Sequence, residues 1–231
     1  MSYLLKPRPG EVLADFAALR SSLEEWAPGR RGSLQAYADA DLVCFVIQGA
    51  GRVKAPHARE NQEQDFAAYT QVCVPAGTLF QLENTGDQPL RFLQTTAPNS
   101  NPSSNPAPPT QPQEPVLVCP WPGDQSFPRN DRQRGGILVF QPNFECDYHS
   151  HDRAEEVFYF FEGEGDVTVE GQVFRVGPGN AVVTAADIKH KFKTFDQTLG
   201  MWLMVAPNLV PSHTFYKQLE DGTWERLPPR T

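Results

Sequence analysis

The 231-residue chain has five histidines, and three of them stand with a glutamate at spacings that can converge on one point. His149 and His151 are two residues apart, so on a β-strand both imidazoles project from the same face. A turn over 152–154 would return the chain along a neighbouring strand and bring Glu155 or Glu156 opposite them. Alternation does not choose between the two glutamates. Glu156, Phe158 and Phe160 share one face, Val157, Tyr159 and Phe161 the other, and neither face is polar. Downstream, Ile188, His190 and Phe192 alternate with Lys189, Lys191 and Lys193, which turns His190 toward the same interior. Three neutral imidazoles and one carboxylate form a donor set for one divalent ion, Fe(II), Mn(II), Ni(II) or Zn(II). On a six-coordinate ion such a set leaves adjacent positions open to a small molecule.

Other residues near these carry weaker signals. Asp147 falls on the same strand face as the histidines and could orient one of them. Cys146 adjoins the same stretch, while Cys44, Cys73 and Cys119 have no close partner and read as buried, reduced thiols. Phe158, Phe160, Phe192 and Trp202 suit either an apolar wall around the ion or ordinary barrel core. His213, in the segment PSHTFY, could reach a pocket mouth but reads more readily as a surface or interface histidine. Tyr148 and Tyr159 are available as proton carriers, but no residue is singled out as catalytic.

The elements that must position these groups are short strands. Runs of Val, Phe, Leu and Ile bounded by Gly, Pro, Asn and Asp recur along the whole chain, which predicts an all-β fold. One helix is expected, over Asp15 to Trp26, from Phe16, Leu19, Leu23 and Trp26 at helical spacing before Pro28 and Gly29. Residues 97–115 hold seven prolines and almost nothing apolar, so they are expected to run as an exposed, extended connector. That connector divides the chain into domains at 1–96 and 116–231.

The two halves repeat one another. Leu42 to Val53, LVCFVIQGAGRV, lies over Glu156 to Val167, EVFYFFEGEGDV, with both glycines in register. VCVPAGTLFQL then lies over VVTAADIKHKF, and each half closes on Ala-Pro-Asn. Carried through this repeat, the four liganding places of the second half become Gln35, Tyr37, Leu42 and Phe80 in the first, a set that would hold no ion. The first half is therefore expected to be structural, or a pocket for an organic ligand.

At this point the second half resembles the cupin family. Its first motif has the form G(x)5HxH(x)3-4E(x)6G, matched by His149, His151, Glu156 and Gly163; its second has PxG followed by a histidine, approached by Pro178-Gly179 and His190. Asn143 replaces the first glycine of the pattern, and GPGN replaces a clean PxG. The resemblance selects Glu156 over Glu155 and implies two cupin-type jelly-roll barrels in tandem, a degenerate one and a metal-competent one. It also implies metal-dependent chemistry on a small molecule, an oxygenase-type reaction at a single centre of three histidines and one glutamate. An isomerase, a lyase or a non-catalytic binder are the alternatives.

Composition narrows the partners. A net charge of -8 without any Lys/Arg block argues against nucleic acid and anionic membrane surfaces, leaving a small molecule. No apolar run is long enough to span a membrane and the N-terminus lacks a signal-peptide core, so a cytoplasmic protein is expected. Either a homodimer or a monomer fits the resemblance.

Overall fold

The computed structural model describes residues 3–60, 62–104, 106–122, 130–210 and 213–228. Every regular element among them is a β-strand, and all strand pairing between those elements is antiparallel. In the second half Glu155–Val169 and His190–Ala206 form the central pair, flanked by Ala181–Thr184 on one side and Arg134–Phe140 on the other. In the first half Asp41–Gln48 and Leu90–Ala97 form the same pair, flanked by Thr70–Val74 and Arg20–Trp26. The rung joining His149 to His190 has its counterpart in an isolated bridge between Gln35 and Phe80, as the sequence repeat requires.

The repeated glycines have a steric cause. At Gly163, φ is 66° and a Cβ would fall 1.8 Å from the Thr198 carbonyl oxygen; at Gly49, φ is 88° and a Cβ would fall 2.7 Å from the Pro89 oxygen. Only glycine fits where the strand must cross that closely.

The expected helix over Asp15 to Trp26 does not form. Val12–Asp15 and Arg20–Trp26 are strands joined by a short turn, and the second zips onto Leu90–Ala97 from Trp26↔Leu90 to Arg20↔Thr96. The spacing of Phe16, Leu19, Leu23 and Trp26 mimics a helical stripe, but pairing with two neighbours satisfies the backbone and overrides it.

The connector is extended but bound to the first half. Ser103–Ser104 pairs with Gln35–Ala36, and Gln113 exchanges main-chain bonds with His57 and Arg59 while its side chain accepts from Leu79 N at 2.8 Å. Asn105, within the connector, lies outside the described residues. The halves also exchange strands. Leu4–Leu5 adds to the edge of the second-half sheet, with Leu4 opposite Val182, and Leu117–Pro120 adds to the edge of the first-half sheet, with Val118 opposite Val72. Val72 and Val182 are equivalent in the repeat, so the exchange is reciprocal.

The core has three parts. One fills the first half around Trp26, Leu42 and Phe80, and one fills the second around Phe158, Phe160 and Phe192. The third lies between the halves and draws from both, including Leu23, Val43, Phe45, Val157, Tyr159 and Trp202. Each large side chain buried there contributes about 1.5–3 kcal/mol by leaving water. This sandwich explains why Glu155–Val169 has two apolar faces: one lines its own barrel and the other meets the partner half.

Candidate metal centre

The three histidines come from two neighbouring strands onto one point. His149 and His151 project from the edge of Tyr148–Ser150, and His190 opens the long strand His190–Ala206 directly across the rung from His149. One nitrogen from each lies within 4.8 Å of the others. His151, Glu156 and His190 are 5%, 2% and 1% exposed, so the cluster is screened from bulk water.

Two of the imidazoles are held in a defined tautomer by the main chain. His149 Nδ1 meets the Asp147 carbonyl oxygen at 2.9 Å and His190 Nδ1 meets the Ile188 carbonyl oxygen at 3.0 Å. A carbonyl only accepts, so both Nδ1 atoms carry the proton and both Nε2 atoms keep a lone pair. Asp147 thus orients His149 through its backbone oxygen. His151 is held differently: Arg134 Nη2 lies 3.2 Å from its Nδ1, and because guanidinium only donates, this nitrogen accepts.

Glu156 completes the set. Its Oε1 is 3.0 Å from His151 Nε2, its Oε2 is 3.2 Å from His190 Nε2, and Thr184 Oγ1 donates to Oε2 at 3.1 Å. Despite that proximity His190 Nε2, fully buried, makes no hydrogen bond. Burial holds the His149 imidazole neutral, its pKa lowered to about 3, and lowers that of His190 as well. Burial opposes ionisation of Glu156, but its contacts with His190 and His151, including the hydrogen bond with His151, prevail and lower its pKa. The Nε2 lone pairs of His149 and His190 beside the carboxylate are donors that a divalent cation requires, and the unbonded Nε2 of His190 is the atom it would satisfy. His151, whose Nδ1 accepts from Arg134, carries its proton on Nε2 toward Glu156 Oε1 and would release it to join them.

Glu155 points the other way. Its Oε2 accepts from Ala18 N at 2.8 Å, tying the strand to the turn that replaced the expected helix. Phe158 and Phe192 pack against His190 with ring centroids 5.5 and 5.9 Å away, and Phe160 lies behind Phe192 at 6.4 Å. Trp202 is not part of that wall; it belongs to the core between the halves, as does Tyr159, while Tyr148 packs on Trp224 at 4.7 Å. Cys146 accepts from Phe192 N at 3.1 Å and stands outside the histidine group; Cys44, Cys73 and Cys119 are buried and form no disulfide.

Three residues join the centre that spacing did not single out. His213 places its ring 4.4 Å from that of His151 and 5.1 Å from that of His149, and burial lowers its pKa to about 4. It sits beside the other histidines, as the pocket-mouth alternative has it, rather than as a surface or interface histidine. Thr184 braces Glu156. Arg134 braces His151 and, with Arg153, Asp152, Val205, Pro207 and Leu209, lines a cavity of about 70 Å³ beside it. A cation on the preceding strand, 17 residues from its histidine, leaves no local pattern; only the pairing of Arg134 with Val205, itself opposite Glu156, brings it there.

Residues 136–206 match the cupin domain model. The matched segment runs from the Arg134–Phe140 strand to the end of the long strand His190–Ala206, and so contains His149, His151, Glu156 and His190. No curated protein sequence matches the chain. Among solved structures, salicylate 1,2-dioxygenase from Pseudaminobacter salicylatoxidans superposes with a TM-score of 0.64 at 11% identity, over 82% of this chain and 71% of that one. A structure of that dioxygenase as an adduct with gentisate gives 0.63 at 12% identity, over 82% and 68%. The putative glyoxylate-induced protein from Pseudomonas aeruginosa gives 0.62 at 17% identity, over 83% and 75%. At these identities the likeness establishes the fold, an all-β jelly roll of cupin type.

Proposed function

We propose that the protein is a two-barrel cupin in which residues 116–231 hold one divalent metal through His149, His151, Glu156 and His190, and residues 1–96 form a degenerate barrel joined by the connector 97–115. The observation that carries this reading is the buried, unbonded Nε2 of His190 facing two further imidazoles and an ionised carboxylate. When bound, iron would supply a redox-active centre with adjacent open positions for dioxygen and substrate; manganese, nickel or zinc would supply a Lewis acid.

The chain's own residues suit a small carboxylate as substrate. Arg134 and Arg153 line the cavity beside His151 and offer planar, permanently charged donors to an anionic group. Val205, Pro207 and Leu209 give the same cavity an apolar side for a ring or short chain. Phe158 and Phe192 exclude water behind His190 and keep its ring in place. Asp147 O and Ile188 O hold the protons of His149 and His190 away from the centre, so neither ring needs to reorient to bind. The gentisate bound by the neighbouring dioxygenase is a hydroxylated aromatic acid, and the guanidinium-lined cavity favours that class. Four cysteines outside any disulfide accord with a reducing, cytoplasmic setting.

Metal analysis of protein purified without added metal, followed by oxygen uptake with a panel of aromatic hydroxy acids, tests the reading. Iron with substrate-dependent uptake supports the oxygenase; stoichiometric zinc without uptake replaces it with the isomerase, lyase or binder alternative.

A further inference from the structure

The degenerate half has a cavity of its own, and it lies where the repeat puts the mouth of the metal site. It measures about 180 Å³ and is lined by Arg20, Ser22, Glu24, Tyr37, Gln94 and Thr96, with residues 100–102 at its rim. Strand register sets the equivalence. Arg20 pairs with Thr96 as Arg134 pairs with Val205, and Tyr37 occupies the place of His151. The first half has thus lost its ion-binding side chains while keeping an arginine and an open space at the same rung.

The lining is built for hydrogen bonding. Arg20, Ser22 and Glu24 alternate along one strand and so face the cavity together, spanning about 13 Å, while Thr96 and Gln94 stand beside Arg20 and Ser22 on the next strand. Thr96 is 3% exposed, and its Oγ1 makes no hydrogen bond. A buried hydroxyl without a partner is a donor and acceptor waiting for one. The remaining groups are only partly used: Arg20 Nη1 reaches Asp15 Oδ1 at 3.2 Å, Glu24 Oε1 accepts from Ser22 at 2.9 Å, and Gln94 Nε2 donates weakly to Tyr37 Oη at 3.4 Å. The rim is fixed by Asn99, which donates to the Phe16 carbonyl at 2.7 Å, and by Ser103–Ser104 paired on Gln35–Ala36.

We propose that this cavity is a second, metal-free ligand site, for a polyhydroxylated carboxylate of sugar-acid size. The carboxylate sits between the Arg20 guanidinium and the Thr96 hydroxyl, and the hydroxyls run along Ser22, Tyr37, Gln94 and Glu24. The volume is below the ~300–1,000 Å³ of sites for drug-sized ligands, which restricts the occupant to a small metabolite. A lining of hydroxyl, amide and charged groups rejects an aromatic acid, the class suited to the metal centre, because it would leave most of these groups unpaired.

Calorimetric titration of the full, metal-free chain with gluconate, glucuronate and tartrate, against glucose and salicylate as controls, tests the proposal. At least one hydroxy acid should bind with one-to-one stoichiometry, more tightly than either control. Arg20→Gln should weaken it tenfold or more. Thr96→Val should weaken it as well, while raising the melting temperature of the free protein, since it removes the unpaired hydroxyl without changing the side-chain shape. His151→Ala should bind the hydroxy acid as the wild type does, which separates this site from the metal centre. The proposal is overturned if no hydroxy acid binds, if Arg20→Gln and Thr96→Val bind unchanged, or if His151→Ala abolishes binding.

Discussion

Phe45 of the first half lies flat on Trp202 of the second, with ring centroids 5.7 Å apart and planes 7° from parallel, and the Trp202 indole donates to Gln71 Oε1 across the same boundary at 3.0 Å. Both rings are fully buried. The contact makes the halves one cooperative body, since neither can open without exposing the shared core. Phe45→Ala should cost about 3–5 kcal/mol, read as a lowered urea midpoint in a single transition. Two separate transitions in the wild type would show that the halves are energetically independent.

Acid should destabilise the metal-free protein. Burial lowers the His149 pKa from 6.5 to about 3 and lowers that of His190 too. Below pH 6.5 the unfolded chain therefore takes up protons that the folded chain refuses, and stability present at neutral pH is lost as pH falls toward 3. His149 contributes a slope of about 1.4 kcal/mol per pH unit inside that window, and His190 acts in the same direction. Urea midpoints at neutral pH and near pH 5 measure it, and His149→Asn should flatten the dependence. An unchanged midpoint in the wild type would contradict the buried neutral state.

The Thr184 hydroxyl donates to the Glu156 carboxylate. Thr184→Val keeps the shape and removes the donor to Glu156 Oε2, so the fold should persist while metal affinity falls by about 10–100-fold. Competition with a chelator of known affinity reads the loss directly.

Arg134→Met should leave metal bound and raise KM for an aromatic hydroxy acid by about a hundredfold, the loss of one charge-assisted anchor. A neutral analogue lacking the carboxylate should show no such difference between variant and wild type.

The centre was legible where chemistry is local in sequence. His149 and His151 share a face because they are two apart, and the alternation of His190 with lysines oriented it correctly; Lys191 and Lys193 indeed face outward, onto Glu145. The choice between the glutamates was beyond alternation for a physical reason. The Glu155–Val169 strand is buried on both sides, so its pattern lacks the polar face that would mark inside from outside. Family spacing selected Glu156, and the contact of Glu155 with Ala18 is what occupies the other one.

What the sequence concealed depends on long-range pairing. The stripe of Phe16, Leu19, Leu23 and Trp26 satisfies a helical spacing, and only the ladder with Leu90–Ala97 reveals it as a strand. Arg134, 17 residues before His151, and His213, just before the Thr214–Gln218 strand, reach the histidines only through strand pairing, and the exchange of Leu4–Leu5 for Leu117–Pro120 has no local signature at all. Trp202 and Phe192, both aromatic on one long strand, differ in which barrel face they serve, and a bulged register separates their phases.

The central claim is a single, asymmetric metal site, and metal stoichiometry tests it most directly. Elemental analysis should find one transition metal per wild-type chain and none in His149→Ala or His190→Ala, each still folded by circular dichroism. Two metals per chain, or full metal content in both variants, would contradict it.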